Sequence, residues 1–133
     1  NAYLWWYIQR YYSFIGDGTQ GTNNGEILKR GYAFSHFSKF VRPGAIRINQ
    51  TTNKPNILKV TAYENETQYV VVILNKENTP VNNLHIATPS VSAAVAYETS
   101  LNANRKEQMV RLSEGKAVID VGPQSVHTLI IEK

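Results

Sequence analysis

The sequence predicts a mainly β protein in which an antiparallel β-sandwich over 43–133 follows a single strand–loop–helix (βα) unit over 1–42. Three observations predict it. After Pro43 eight short β-type runs recur at roughly ten-residue spacing with turn residues between them. Helical spacing of apolar residues is confined to 26–41. Composition divides the same way: residues 1–48 hold 11 of the 14 aromatic side chains and the whole net charge of +4, whereas 49–133 are neutral.

The first element is a strand over 3–8, with Tyr3, Trp5 and Tyr7 on one face and Leu4, Trp6 and Ile8 on the other. Both faces are apolar, as in a buried parallel strand. A glycine-rich loop over 16–25 follows, and two readings stay open for it, a lid or a surface connection. The helix over 26–41 presents Ile27, Phe34, Phe37, Phe40 and Val41, with Glu26 at its positive end, Lys39 and Arg42 at its negative end, and Pro43-Gly44 as its stop. The β runs are 45–49, 57–64, 69–75, 84–88, 91–99, 108–112, 117–121 and 125–132. Asn53-Lys54-Pro55-Asn56, Glu64-Asn65-Glu66, Asn78-Thr79-Pro80 and Ser113-Glu114-Gly115 are the turns.

At 133 residues the chain is too short for a complete (β/α)8 barrel, which needs ~250. It is long enough to bury a core without staples. The absence of cysteine excludes a disulfide scaffold and any thiolate metal site. No run reaches the roughly 18 to 20 apolar residues of a membrane span, and the opening residues lack the plan of a signal peptide. Asn1 leads at once into an apolar run, which is expected of a chain with further sequence upstream. The cations of 1–48 are dispersed over several elements rather than gathered in a basic run, which argues against a nucleic-acid partner.

Few residues carry chemistry. His36, His85 and His127 fall in different elements and read as helix-surface or strand-face residues, not as metal ligands. Asp17 reads as a turn former and Glu26 as a helix N-terminal residue, so no catalytic acid pair is visible. Sequons at Asn49 and Asn65 are short, common patterns. The informative cluster is Trp5-Trp6-Tyr7-Ile8-Gln9-Arg10-Tyr11-Tyr12 at the end of the first strand. Trp and Tyr offer flat faces to a sugar ring, and Arg offers a planar donor fork to a carboxylate, a combination suited to an acidic sugar. Core packing by the two Trp residues, with Arg10 a solvated loop charge, is the alternative.

Asn1-Ala2-Tyr3-Leu4-Trp5-Trp6-Tyr7-Ile8-Gln9-Arg10, Lys29-Arg30-Gly31-Tyr32 and His36-Phe37-Ser38-Lys39-Phe40-Val41-Arg42-Pro43-Gly44 resemble the C-terminal part of glycoside hydrolase family 30 glucuronoxylanases. The resemblance continues through Val60-Thr61-Ala62-Tyr63, Val71-Val72-Ile73-Leu74-Asn75-Lys76 and Gln124-Ser125-Val126, nearly the full chain in order. It implies a secreted endo-β-1,4-xylanase built from a (β/α)8 barrel with a side β-sandwich, which cuts xylan at (4-O-methyl)glucuronic acid branches and needs no cofactor. Residues 1–42 then hold the last barrel strand and helix, and 43–133 the accessory sandwich. The family motif carries over to Trp6 and Tyr7 in the glucuronosyl pocket, Arg10 on the branch carboxylate and Tyr12 on the same sugar. Gln9 and Tyr11 depart from the commonly basic and small residues of the family, and the 16–25 loop is longer. Both catalytic glutamates lie on missing strands, so the chain alone is expected to be inactive and to need the remaining barrel segment as its partner. The family's sandwich also takes strand material from before the barrel, which predicts an exposed edge here. Without the other seven barrel strands, 1–42 is expected not to keep its barrel conformation, since an isolated barrel strand leaves its ladder groups unpaired. A noncatalytic carbohydrate-binding or structural sandwich is the competing functional reading.

Overall fold

In the computed structural model, which describes residues 4–133, the alternating segments after Pro43 resolve into nine strands. Six of them, β1 (Ile46–Ile48), β2 (Leu58–Glu64), β3 (Gln68–Asn75), β5 (Ala93–Thr99), β6 (Lys106–Gln108) and β9 (Ser125–Glu132), form one antiparallel sheet. The other three, β4 (Val81–Ala87), β7 (Arg111–Ser113) and β8 (Lys116–Val121), form a second. The orders are β1-β2-β3-β9-β5-β6 and β4-β8-β7. Period-2 alternation sends Leu58, Val71, Ile73, Leu129 and Ile131 of the large sheet against Val81, Ala117, Ile119 and Val121 of the small one, closing the main core. The opposite face of the large sheet carries Val70, Val72 and Val126, which pack with Phe40 just beyond helix α1 (Lys29–Ser38). The helix, the large sheet and the small sheet thus form three layers. Among the described residues no helix is long and apolar enough to cross a membrane.

The expected strand over 108–112 is two strands in two sheets. Gln108 pairs with Ala96 in the large sheet, whereas Arg111 pairs with Val118 in the small one, and Met109-Val110 cross between them. The β7–β8 turn has Glu114 at φ 50° and Gly115 at φ 69°, the twist that a tight hairpin favours. Strand β4 begins at Val81 instead of 84. A register shift between Val81 and Leu84, with Asn83 at φ 51° and its N–H given to Asp120 Oδ1 at 2.7 Å, hides the alternation there.

Helix α1 is shorter than its apolar pattern over 26–41. Gly25 sits at φ 80°, and the Glu26 carboxylate accepts hydrogen bonds from the Asn23 main chain (3.2 Å) and side chain (3.0 Å), so Glu26 braces the preceding loop instead of the helix N-terminus. At the other end Arg42 donates to the Ser38 carbonyl at 2.7 Å, the C-terminal role expected of it. Ile27 and Phe37, expected on the buried face, are exposed. Gly31 lies so close to segment 14 that a Cβ there would stand 2.5 Å from the Phe14 carbonyl oxygen.

Segment 4–8 forms no strand, and Tyr3 lies outside the described residues. A central strand needs partners on both sides, whereas here the Ile8 carbonyl accepts from Ile15 N–H at 3.1 Å within a doubled-back segment.

His36 is not on the helix surface; it is fully buried between α1 and the large sheet. Its Nδ1 meets Thr128 Oγ1 and its Nε2 meets Thr99 Oγ1, each at 2.8 Å. Thr128 donates its hydroxyl to the His36 carbonyl, and Thr99 Oγ1 accepts the Arg105 N–H. The network therefore assigns the neutral tautomer with hydrogen on Nδ1. Burial first, then the His127 and Arg105 charges, pushes the His36 pKa down from 6.5 to about 4. Burial also lowers His127, against the opposing pull of Glu98. Below pH 6.5 the unfolded chain takes up protons that the folded imidazoles refuse. The contribution of His36 is thus complete above pH 6.5 and drains away as the pH falls toward about 4. Urea denaturation should show stability falling between pH 6.5 and 5 more steeply in the native chain than in His36→Gln; equal slopes would remove His36 as the cause.

Candidate functional site

The aromatic–basic cluster sits on a doubled-back segment anchored to α1. Arg10 N–H donates to the Ile15 carbonyl (2.9 Å), Ser13 N–H to the Arg10 carbonyl (2.9 Å), and Leu28 N–H to the Phe14 carbonyl (2.9 Å). Trp5, Phe14 and Phe34 stack in series at 5.0 and 4.7 Å, which fixes the segment on the helix. Ser13 is buried beneath the cluster; it accepts from Trp5 Nε1 (2.8 Å) and donates to the Tyr7 carbonyl. Tyr7 is held at φ 57°, a left-handed conformation unusual for a bulky side chain.

Three of the four expected site residues come together above this base. Trp6, 75% exposed, meets Tyr7 edge-on at 4.8 Å, and the Arg10 guanidinium lies 5.0 Å from the Tyr7 ring centre. The Arg10 side chain is half exposed. Tyr12 takes a different position: its ring packs edge-on against Tyr11 at 5.0 Å, and its carbonyl is held by Arg30. Arg30 also lies 5.6 Å over the Trp5 ring. Ser13, Arg30 and Asp17 were missing from the sequence reading of the cluster. Asp17 is indeed a turn former, accepting from Thr19 N–H (3.1 Å) and Oγ1 (2.7 Å), but its other oxygen lies 3.9 Å from Arg10 Nη1. Gln9, one of the departures from the family pattern, donates to Asn24 Oδ1 (2.7 Å) and the Gly16 carbonyl (3.2 Å), tying the 16–25 loop to the cluster.

The surface joins apolar ring faces to an accessible guanidinium, groups whose chemistry suits stacking and charge-assisted hydrogen bonding. Among the described residues no group of three or more His, Cys, Asp or Glu side chains is placed to hold a metal ion.

No family model matches the chain. Its sequence is 36% identical over 135 residues to Glucuronoxylanase XynC of Bacillus subtilis, covering 99% of this chain and 30% of that protein. A second relative of the same name, from Bacillus subtilis (strain 168), is 42% identical over 104 residues, covering 77% of this chain and 23% of the relative. Among solved structures, a GH30 endoxylanase from Clostridium papyrosolvens C71 superposes with a TM-score of 0.75 at 27% identity, over 82% of this chain and 29% of the endoxylanase. The chain corresponds to the C-terminal part of a glycoside hydrolase family 30 glucuronoxylanase. Its antiparallel sheets match the C-terminal β domain of GH30 xylanases. It spans less than a third of the length of these curated relatives.

In this GH30 segment the buried Ser13 hydroxyl joins the Trp5 and Tyr7 ends of the cluster. Ser13→Ala should lower stability by about 1 to 2 kcal/mol and alter tryptophan fluorescence, because two polar groups lose their common partner. An unchanged spectrum and melting temperature would show that Ser13 does not hold the cluster.

Proposed function

We propose that this chain is the C-terminal segment of a secreted endo-β-1,4-xylanase that cleaves glucuronoxylan under the guidance of (4-O-methyl)glucuronic acid branches. Residues 1–42 supply the last strand and helix of its catalytic barrel, and 43–133 the accessory sandwich. One observation carries the reading: a half-exposed guanidinium resting on Tyr7, with Trp6 alongside it, at the N-terminal edge of a family 30 segment. Arg10 pairs with the branch carboxylate, and charge-assisted pairing favours an acidic branch over a neutral one. Trp6 and Tyr7 present ring faces to the same sugar, and Tyr12 approaches it once the adjoining barrel strands order the segment. Hydrolysis with retention requires two carboxyl groups about 5–5.5 Å apart, both supplied by the upstream barrel. The polymeric substrate is met outside the cell.

The noncatalytic binding-module reading finds little support in the sandwich. Its tyrosines are occupied: Tyr69 is buried, Tyr97 stacks on Phe40 at 4.9 Å, and Tyr63 packs against the second apolar cluster. No flat aromatic row remains there to hold a polysaccharide.

The upstream segment also has a place to dock. The small sheet covers only part of the large one, and β4 is paired on one side only. Between β4 and the inner face of β1–β3 runs a groove of about 620 Å³ whose walls include Val60, Ala62, Val71, Leu84 and Ile86. A strand from the earlier part of the enzyme, added to the β4 edge, satisfies the open ladder groups and fills this groove.

In the complete enzyme, Arg10→Ala should lower the rate on glucuronoxylan relative to unbranched xylan by about tenfold to a hundredfold, the range of a charge-assisted hydrogen bond. An unchanged ratio removes Arg10 from branch recognition. Alternate amides of β4 should exchange quickly in this chain alone and slowly in the complete enzyme; fast exchange in both would place the upstream strand elsewhere.

A further inference from the structure

The acid facing Arg10 has no part in the reading above. Asp17 belongs to the 16–25 loop, whose neck is closed by Gly16 N–H to the Glu26 carbonyl (2.8 Å) and Gly25 N–H to the Gly16 carbonyl (2.9 Å). Its Oδ1 is engaged by Thr19, while Oδ2 lies 3.9 Å from Arg10 Nη1. The Asp17 side chain is 16% exposed against 50% for Arg10, so a fixed negative charge stands behind a more accessible cation. The Thr19 hydroxyl, chiefly, holds the Asp17 carboxyl below its ordinary value, with desolvation opposing and Arg10 adding a smaller pull. Asp17 is therefore ionised at neutral pH, as a sugar acid is.

The separation decides what this charge does. At 3.9 Å it exceeds a hydrogen bond, so Asp17 does not use up the donor fork of Arg10. It does cancel the local positive charge. A carboxylate arriving at Arg10 meets attraction from the guanidinium and repulsion from Asp17, whereas a neutral sugar meets neither.

We propose that Asp17 is an internal counter-carboxylate that sets how tightly Arg10 holds an acidic sugar, making it a specificity-determining residue of this site. The proposal rests on the Arg10 reading above. Two like charges about 6 to 7 Å apart at a largely solvated site, where the effective dielectric is about 40 to 80, change affinity by about threefold to tenfold. The effect is screened by salt and absent for uncharged ligands.

The test is calorimetric titration of the complete enzyme, kept from hydrolysing its ligand by replacement of an upstream catalytic glutamate, with a glucuronic acid-branched xylo-oligosaccharide and with the unbranched oligosaccharide. The chains compared are native, Asp17→Asn, Arg10→Ala and the double variant. Asn retains the Oδ1 acceptor for Thr19, so the turn is preserved. Asp17→Asn should bind the acidic ligand about threefold to tenfold more tightly. The gain should shrink at high salt and vanish in the double variant, with neutral binding unchanged. Acidic affinity that is equal or weaker in Asp17→Asn, while Arg10→Ala loses affinity, overturns the role of Asp17 and leaves the Arg10 reading standing. Acidic affinity unaffected by Arg10→Ala overturns that reading and this proposal with it.

Discussion

Every peptide group taken from water needs a partner, and this requirement decides which parts of the chain are sheet. Strand β9 satisfies it most fully, pairing with β3 from Gln68↔Glu132 to Asn75↔Ser125 on one side and with β5 on the other. With its ladder complete, its side chains are free to organise both layers. Leu129 and Ile131 enter the main core, while Val126 and Thr128 face the helix. The same requirement bears on segment 4–8, whose composition is as strand-like as any in the chain but which, among the described residues, joins neither sheet.

Buried polar groups continue this accounting away from the ladder. Asn75, fully buried at the end of β3, donates to the carbonyls of Thr79 (2.9 Å) and Gly122 (2.8 Å) and accepts from Glu77 N–H (3.0 Å), tying two connections together. His36 does the same for the helix, with one nitrogen donating and the other accepting. Lys29, in the first turn of α1, donates to the carbonyls of Ser100 (2.7 Å), Leu101 (3.2 Å) and Ala103 (3.1 Å) and to the Asn104 side chain. The end of β5 and the connection after it therefore hold α1 at two points, Thr99 on His36 and the 100–104 segment on Lys29. The helix joins the sandwich through directional polar contacts as well as through Phe40.

Much of this was legible because alternation and turn chemistry are local. The run over 125–132 coincides with β9, and 57–64 and 69–75 lie within one residue of β2 and β3. Legibility ended where a tertiary partner decided the outcome. Nothing in Gln108-Met109-Val110-Arg111 says that its two ends join different sheets, and the bulge at Asn83 erases the period that marks a strand. His36 looked superficial because a lone histidine among Lys and Ser on a helix carries no sign of two threonines waiting on distant strands. At the cluster, Trp6, Tyr7 and Arg10 were legible because adjacency in sequence puts them in contact. Asp17 was legible only as a turn, since its approach to Arg10 depends on how the loop neck closes.

The strand that seats in the middle of the large sheet is the last of the nine along this chain. A polypeptide emerging from the ribosome N-terminus first must therefore wait. Until 125–132 is available, β1-β2-β3 and β5-β6 are two separate ribbons with bare inner edges, and α1 has only part of the surface it packs on. Contacts of such large sequence separation are slow to form, and bare edges invite pairing with other chains. The arrangement delays closure of the domain until nearly all of this segment has been synthesised.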